Sequence, residues 1–221
     1  TALNINNPLS IDSIYGSDIL CYGASNGDIL FDMNDSAMLP LIFELDSNLL
    51  NPNDSLINST GSFSSLSANT YHVLITDSFG CFIDTNYTIT ELNEIVVTAN
   101  ADSLSCYESD DGEISISFTG GIAPFIFDWI GPNSFISTNQ NITDLTDGNY
   151  VLSITDGNGC MAFDTITVSQ PNPLQSYIVQ TIDASCFGSS DASGSIKVSG
   201  GSRPYQYSWS VGSSTDSTIS D

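Results

Sequence analysis

Basic side chains are almost missing from this 221-residue chain, where one lysine (Lys197) and one arginine (Arg203) stand against 26 acidic residues. The resulting net charge of −24 repels phosphate backbones and anionic lipid surfaces, which argues against nucleic acid or acidic membranes as partners. Histidine is equally scarce. The only one, His72, follows Tyr71, and the aligned position further along is Val151, so it reads as a surface strand residue, not an acid–base catalyst. No stretch approaches the roughly 18 apolar residues of a membrane span, which argues against direct membrane insertion. No segment sustains a helical period. No Cys/His cluster, phosphate-cradling glycine loop or Gly-x-Ser-x-Gly is found, and carboxylate pairs such as Asp110–Asp111 sit in loops with nothing to favour a glycosidase-like arrangement. No catalytic residue is identified and the chain is not expected to be an enzyme. No secretory leader is visible before Thr1, so the start of the parent protein is expected to lie outside the sequence.

What is present is a repeat. Apolar residues make up 40% of the chain and aromatics 10%, enough to bury real cores. Three segments share a cysteine, an aromatic, a short Gly/Ser/Asp loop and an alternating strand: ILCYGASNGDILFDM (19–33), LSCYESDDGEISISF (104–118) and ASCFGSSDASGSIKV (184–198). Their cysteines stand at positions 21, 106 and 186, which sets the length of one unit. LSANTYHVLITDSFGC (66–81) aligns with LTDGNYVLSITDGNGC (145–160), and GGIAPFIFDW (120–129) with GGSRPYQYSW (200–209). NNPLS (6–10) resembles the junction PNPLQ (171–175). These alignments predict the last strand of a preceding repeat at 1–7, a divergent repeat at 8–91, a second at 92–172 and a truncated third at 173–221.

The second repeat is the clearest. EIVVTA (94–99) reads as a first strand, and EISISFT (113–119) places Ile114, Ile116 and Phe118 on one face. FIFDW (125–129) does the same with Phe125, Phe127 and Trp129, while YVLSITD and AFDTITVSQ form a hairpin around DGNGC. Short strands between Gly/Asn/Asp turns indicate an all-β fold of tandem immunoglobulin-like β-sandwiches. Trp129 and Trp209 sit where such folds bury an aromatic. Leu145-x-x-Gly148-x-Tyr150 and Leu66-x-x-Asn69-x-Tyr71 read as tyrosine corners, with Gly148 or Asn69 supplying a positive φ; an ordinary strand-start tyrosine is the alternative.

There are five cysteines. Their spacing within a repeat, from position 21 to 81 and from 106 to 160, suggests the pairs Cys21–Cys81 and Cys106–Cys160, with a partner for Cys186 beyond the chain end. Each pair would pin a loop to a turn at one end of its sandwich. Such a cystine closes a loop worth roughly 4 kcal/mol and implies an oxidising, extracytoplasmic location. Tyr22, Tyr107 and Phe187, each after a first cysteine, are expected to pack over the disulfide. Scattered acids give a soluble, self-repelling surface and no cofactor is expected. A weak calcium site is the alternative at Glu108, Asp110, Asp111 and Glu113, whose counterparts retain only Asp28 and Asp191. Asp-Ser/Thr followed by a small or aliphatic residue recurs at Ser13, Ser36, Ser55, Ser103, Thr165 and Ser217, against about two matches from composition. This resembles the O-glycosylation signal of Bacteroidota exported proteins, and Ser/Thr-rich strands beside Asp turns are the alternative source.

Cys106-Tyr107, Asp111-Gly112-Glu113-Ile114, Gly120-Gly121-x-x-Pro124-Phe125-x-Phe127-x-Trp129 and Gly148-x-Tyr150-x-x-x-Ile154-x-Asp156-x-x-Gly159-Cys160 together resemble the SprB repeat of gliding-motility adhesins and related large surface proteins of Bacteroidota. The third repeat carries the pattern through Cys186-Phe187-Gly188, Gly194 and Gly200-Gly201-x-x-Pro204-Tyr205-x-Tyr207-x-Trp209. The first keeps Cys21-Tyr22-Gly23, Gly27 and Cys81 but shows DSAMLPLIFEL (35–45) in place of the Gly-Gly turn, with Leu45 at the tryptophan position. The resemblance implies display on the extracellular face of a Gram-negative Bacteroidota-like cell, export by type IX secretion, and a stalk or filament in adhesion and gliding. Expected partners are neighbouring repeats, other filament or motility components, surfaces and polysaccharide. Carbohydrate-binding or accessory repeats of a large secreted polysaccharide-active enzyme are the alternative.

Overall fold

A computed structural model of the chain describes residues 9–34, 40–47, 55–210 and 215–220. The expected terminal strand at 1–7 and Ser36 lie outside the described residues. Two compact units emerge: one holds the chain up to Val96 with 119–125 and 155–160, the other holds 97–118, 126–154 and 161–221.

The first strand set comprises β1 (Ile11–Ser17), β2 (Gly27–Met33), β3 (Ile42–Asp46), β4 (Leu56–Asn58), β5 (Ser62–Leu66), β6 (Asn69–Thr76) and β7 (Phe82–Ile89). They form two sheets, β1-β2-β5 and β4-β3-β6-β7. Every pairing within them is antiparallel. The second set repeats the plan. β8 (Val96–Asp102), β9 (Gly112–Thr119) and β12 (Ile142–Leu145) make one sheet; β10 (Ile126–Ile130), β11 (Ile136–Ser137), β13 (Gly148–Thr155) and β14 (Met161–Val168) make the other. A 3-10 turn, Pro132–Ser134, precedes β11. The third set is one sheet of β15 (Gln175–Ile182), β16 (Ser193–Ser199) and β17 (Thr218–Ser220) in that order. The described residues are therefore all-β, and the first two strand sets are immunoglobulin-like two-sheet sandwiches.

Alternation explains the layering. In β2 the residues Gly27, Ile29 and Phe31 are buried and Asp28, Leu30 and Asp32 exposed, because successive side chains leave opposite faces of a strand. Phe31 stacks on Phe43 and meets Phe63 edge-on, at 6.1 and 6.4 Å between centroids. In the second sandwich Ile114, Ile116, Trp129, Leu152, Ile154 and Val168 fill the core. The Trp129 indole N–H donates to the Asn139 carbonyl at 2.9 Å, which satisfies its one polar atom inside the core. Leu45 is buried in the first sandwich, on the strand matching that of Trp129. Phe125, Phe127 and Trp209 are half-buried. The Trp209 indole donates to the Asp216 carbonyl at 3.0 Å.

Both corner tyrosines are buried, and each hydroxyl donates to the carbonyl four residues upstream: Tyr71 to Ser67 at 2.9 Å and Tyr150 to Thr146 at 3.0 Å. Gly148 supplies a positive φ of 135°, but Asn69 does not. Asn69 instead accepts from the Thr70 N–H and donates to the Ser47 carbonyl, so its side chain holds the corner. Replacing Tyr150 by phenylalanine strands the Thr146 carbonyl and is expected to lower unfolding free energy by about 1 kcal/mol. Urea unfolding checks this; an unchanged midpoint would remove the corner from the energetics.

Candidate functional site

The cysteine-bearing connections are held by directed hydrogen bonds. The loop after the first strand is constructed the same way in the first two copies. In the first, the Ile19 N–H donates to the Thr90 carbonyl at 2.8 Å, and the Gly23 N–H to Glu91 Oε2 at 2.6 Å. In the second, the Leu104 N–H donates to the Ser169 carbonyl at 2.9 Å and the Glu108 N–H to Gln170 Oε1 at 2.8 Å. The cysteine carbonyl accepts from the N–H three residues on in all three copies, at Ala24, Ser109 and Ser189. The second residue after the cysteine has a positive φ in each: Gly23, Glu108 and Gly188. These bonds fix the loop at the exit of the seventh strand.

The turn between the sixth and seventh strands carries the closing cysteine. Asp77 Oδ1 accepts from the Phe79 and Cys81 N–H groups, and Asp156 Oδ1 from the Asn158 and Cys160 N–H groups, each at 2.9 Å. Burial raises the Asp156 pKa, but the backbone donors outweigh it and the net shift is downward. Asp156 Oδ2 also accepts from the Ile122 N–H at 3.1 Å, and the Gly157 N–H donates to the Ile122 carbonyl at 2.7 Å. The closing turn and the Gly-Gly-x-x-Pro loop thus bind each other directly. Gly120 is required there: it has φ 81°, and a Cβ would overlap the Glu94 carbonyl oxygen. Gly200 repeats the contact against Pro173.

The cysteines do not pair within a sandwich. Cys21 bonds Cys160 across a sequence separation of 139, with Cα atoms 5.4 Å apart, and Cys81, Cys106 and Cys186 are free and exposed. This corrects both expected pairs, Cys21–Cys81 and Cys106–Cys160. The reason is strand direction. Cys21 follows β1 at the end of the first sandwich marked by Ser17, Gly27, Leu66, Asn69 and Ile89. Cys81 follows β6 at the other end, where Thr76 pairs Phe82. The eight residues of β6 between those ends span roughly 27 Å, and a cystine needs its Cα atoms within about 7 Å. Closing the longer loop instead contributes about 5 kcal/mol by chain entropy.

Glu108, Asp110, Asp111 and Glu113 do not converge, and no group of three or more metal-ligating side chains occurs among the described residues. Asp111 Oδ1 accepts from the Ser105 N–H at 3.1 Å and the Ser109 hydroxyl at 2.6 Å. Asp191 repeats both bonds with Ser185 and Ser189 at 2.9 and 2.7 Å. These carboxylates organise the cysteine loop. Ser103 and Thr165 are exposed, whereas Ser13, Ser55 and Ser217 are half-buried and the Ser55 hydroxyl oxygen is buried. Tyr22, Tyr107 and Phe187 are all exposed and do not cover the cystine as expected. His72 Nε2 lies 2.8 Å from Asp84 Oδ1 on the surface of the β6–β7 pair. The turn aspartates Asp77 and Asp156 escaped the sequence reading as structural groups, although their shared Asp-x-x-Gly-Cys spacing marks them.

Fold and junction define a tandem array of immunoglobulin-like sandwiches joined by a cystine. The SprB repeat matches at two places in it, residues 98–134 and 178–214. No curated protein matches the chain. Among solved structures it is similar to three N-terminal domains of the bacteriophage RB49 highly immunogenic outer capsid protein, at 14% identity and TM-score 0.41 over 87% of this chain and 68% of that one. It is also similar to the C-terminal 282-residue fragment of intimin, crystallised with the intimin-binding domain of its translocated receptor, at 12% identity and TM-score 0.39 over 76% and 66%. An amphioxus IgVJ-C2 molecule follows at 11% and 0.29 over 72% and 98%. Likeness at these values carries nothing beyond the architecture already described. No helix among the described residues is long and apolar enough to cross a membrane.

Hydrogen bonds from Ser105, then Ser109, hold Asp111 down to about 2, and those from Ser185 and Ser189 do the same for Asp191. A carboxyl whose folded pKa is depressed stabilises the fold above its unfolded value near 3.9, and this contribution fades as pH falls toward 2. Asp111→Asn is therefore expected to be less stable than the parent at pH 6 and to converge on it by pH 2. Thermal unfolding across that range checks this; a constant gap would contradict it.

Proposed function

We propose that this chain is a segment of an extracellular stalk or filament, in which tandem sandwiches hold an adhesive region away from a Gram-negative, Bacteroidota-like cell. The observation that carries the reading is the Cys21–Cys160 bond, which joins consecutive sandwiches covalently. A bond there resists separation along the chain, as a connector under tension needs, and adds nothing to a catalytic or ligand cleft. The 26 acidic residues against two basic ones favour separation of neighbouring filaments by like-charge repulsion. The cystine suits an oxidising compartment, reached in this reading by type IX secretion. Surface adhesion, and gliding driven through such filaments, are the roles this reading assigns to the array. Glycans on the exposed Ser103 and Thr165 would add bulk and solubility without entering a core.

In-frame deletion of these residues from the parent gene tests the reading. A strand of eight residues spans roughly 27 Å, so surface filaments are expected to shorten by about 30 Å or more per sandwich removed, and cell attachment to fall. Filaments of unchanged length with unchanged attachment would overturn it.

A further inference from the structure

The free cysteines repeat the geometry of the bonded one. We infer that the Cys21–Cys160 bond is one instance of a rule in which the first cysteine of each sandwich bonds the closing cysteine of the next. Cys106 would then bond the closing cysteine of the third sandwich in a chain continuing through its sixth and seventh strands. This rests on the tandem-array reading above.

Three observations carry it. The Cys106 loop is built as the Cys21 loop is, with the same three backbone anchors and the same positive φ, so both cysteines occupy the same end of their sandwiches. Where Cys21 is bonded, Cys160 Sγ lies 3.0 Å from the Leu20 carbonyl oxygen, the group just before the cysteine. At Cys106 the matching carbonyl, that of Ser105, is already engaged: it accepts from the Ser202 hydroxyl of the third Gly-Gly-x-x-Pro loop. Ser202 is the counterpart of Ile122, the residue that binds the closing turn of the second sandwich through both its N–H and its carbonyl. A closing turn bound the same way beside Ser202 would bring its cysteine to Cys106. Cys106 and Tyr107 line a cavity there with Gly201, Ser202 and Pro204, bounded on its other side by Ile196 and Val198 of β16. By the same rule Cys81 pairs with the first cysteine of a preceding sandwich, and Cys186 with the closing cysteine of a following one. Each bond forms by thiol–disulfide exchange: two thiols become a cystine, and a disulfide oxidant such as a periplasmic-type oxidoreductase or oxidised glutathione leaves as two thiols, taking up both protons and both electrons.

The rule has a topological consequence. The loop from Cys21 to Cys160 encloses Cys106, so successive cystine loops overlap and every sandwich junction is spanned by one.

The parent chain, taken from the cell surface with free thiols alkylated at once and digested without reduction, tests this by mass spectrometry. Closing cysteines stand at positions 81 and 160, so Cys106 is expected in a linked peptide with the next cysteine of that series, one repeat beyond Cys160. A linked Cys21–Cys160 peptide should accompany it. Cys106 found alkylated, or linked to any cysteine outside the following sandwich, overturns the rule. If the Cys21–Cys160 peptide is present in that case, the stalk reading survives; it fails separately, through unchanged filaments after deletion.

Discussion

Seven strands that reverse direction at every connection impose one constraint from which the rest of this structure follows. The connection after the first strand and the one after the sixth must emerge at opposite ends of the sandwich. The two cysteines of a repeat sit on those connections, so they are held a full strand length apart. A strand of eight residues is several times longer than a cystine can reach. The bond that does form is Cys21–Cys160, with Cα atoms 5.4 Å apart.

Placing the covalent bond at the junction divides labour between two kinds of cohesion. Inside each sandwich, alternating apolar residues and buried aromatics hold the sheets together without a cystine: the first core closes around Phe31, Phe43 and Phe63. Between sandwiches, where net charge of one sign opposes association, the Cys21–Cys160 cystine takes over. The loop carboxylates serve the same end. Asp111, Asp156 and Asp191 sit in different connections, yet each accepts several hydrogen bonds that shape the chain around a cysteine.

Much of this was legible in the amino-acid order. The recurrence of Cys, Gly-Gly-x-x-Pro and Asp-x-x-Gly-Cys marked the repeat, and the alternation of Ile114, Ile116 and Phe118 marked a half-buried strand. Trp129, Tyr71 and Tyr150 were recognisable because each needs a buried body and one satisfied polar atom, and few positions in a sandwich offer both. The cystine was misassigned because spacing along the chain was read without strand parity. Counting an odd strand before Cys21 and an even one before Cys81 separates them without coordinates. The acidic loop offers a weak cation site only as an alternative in sequence, and Asp111 is instead held by its own loop, accepting from the Ser105 N–H and the Ser109 hydroxyl. Asn69 looked like a positive-φ corner residue by analogy with Gly148, but its side-chain bonds stabilise the corner without that conformation.

Single-molecule stretching of the chain by its two ends, before and after reduction, tests the junction most directly. With Cys21 bonded to Cys160 across a sequence separation of 139, the chain between them is shielded from tension. Reduction should then add about 480 Å to the fully extended length of each molecule, at roughly 3.5 Å per residue. A gain of only about 400 Å, the stretches from Cys21 to Cys81 and from Cys106 to Cys160 taken together at the same length per residue, would place the bonds inside the sandwiches and contradict the account.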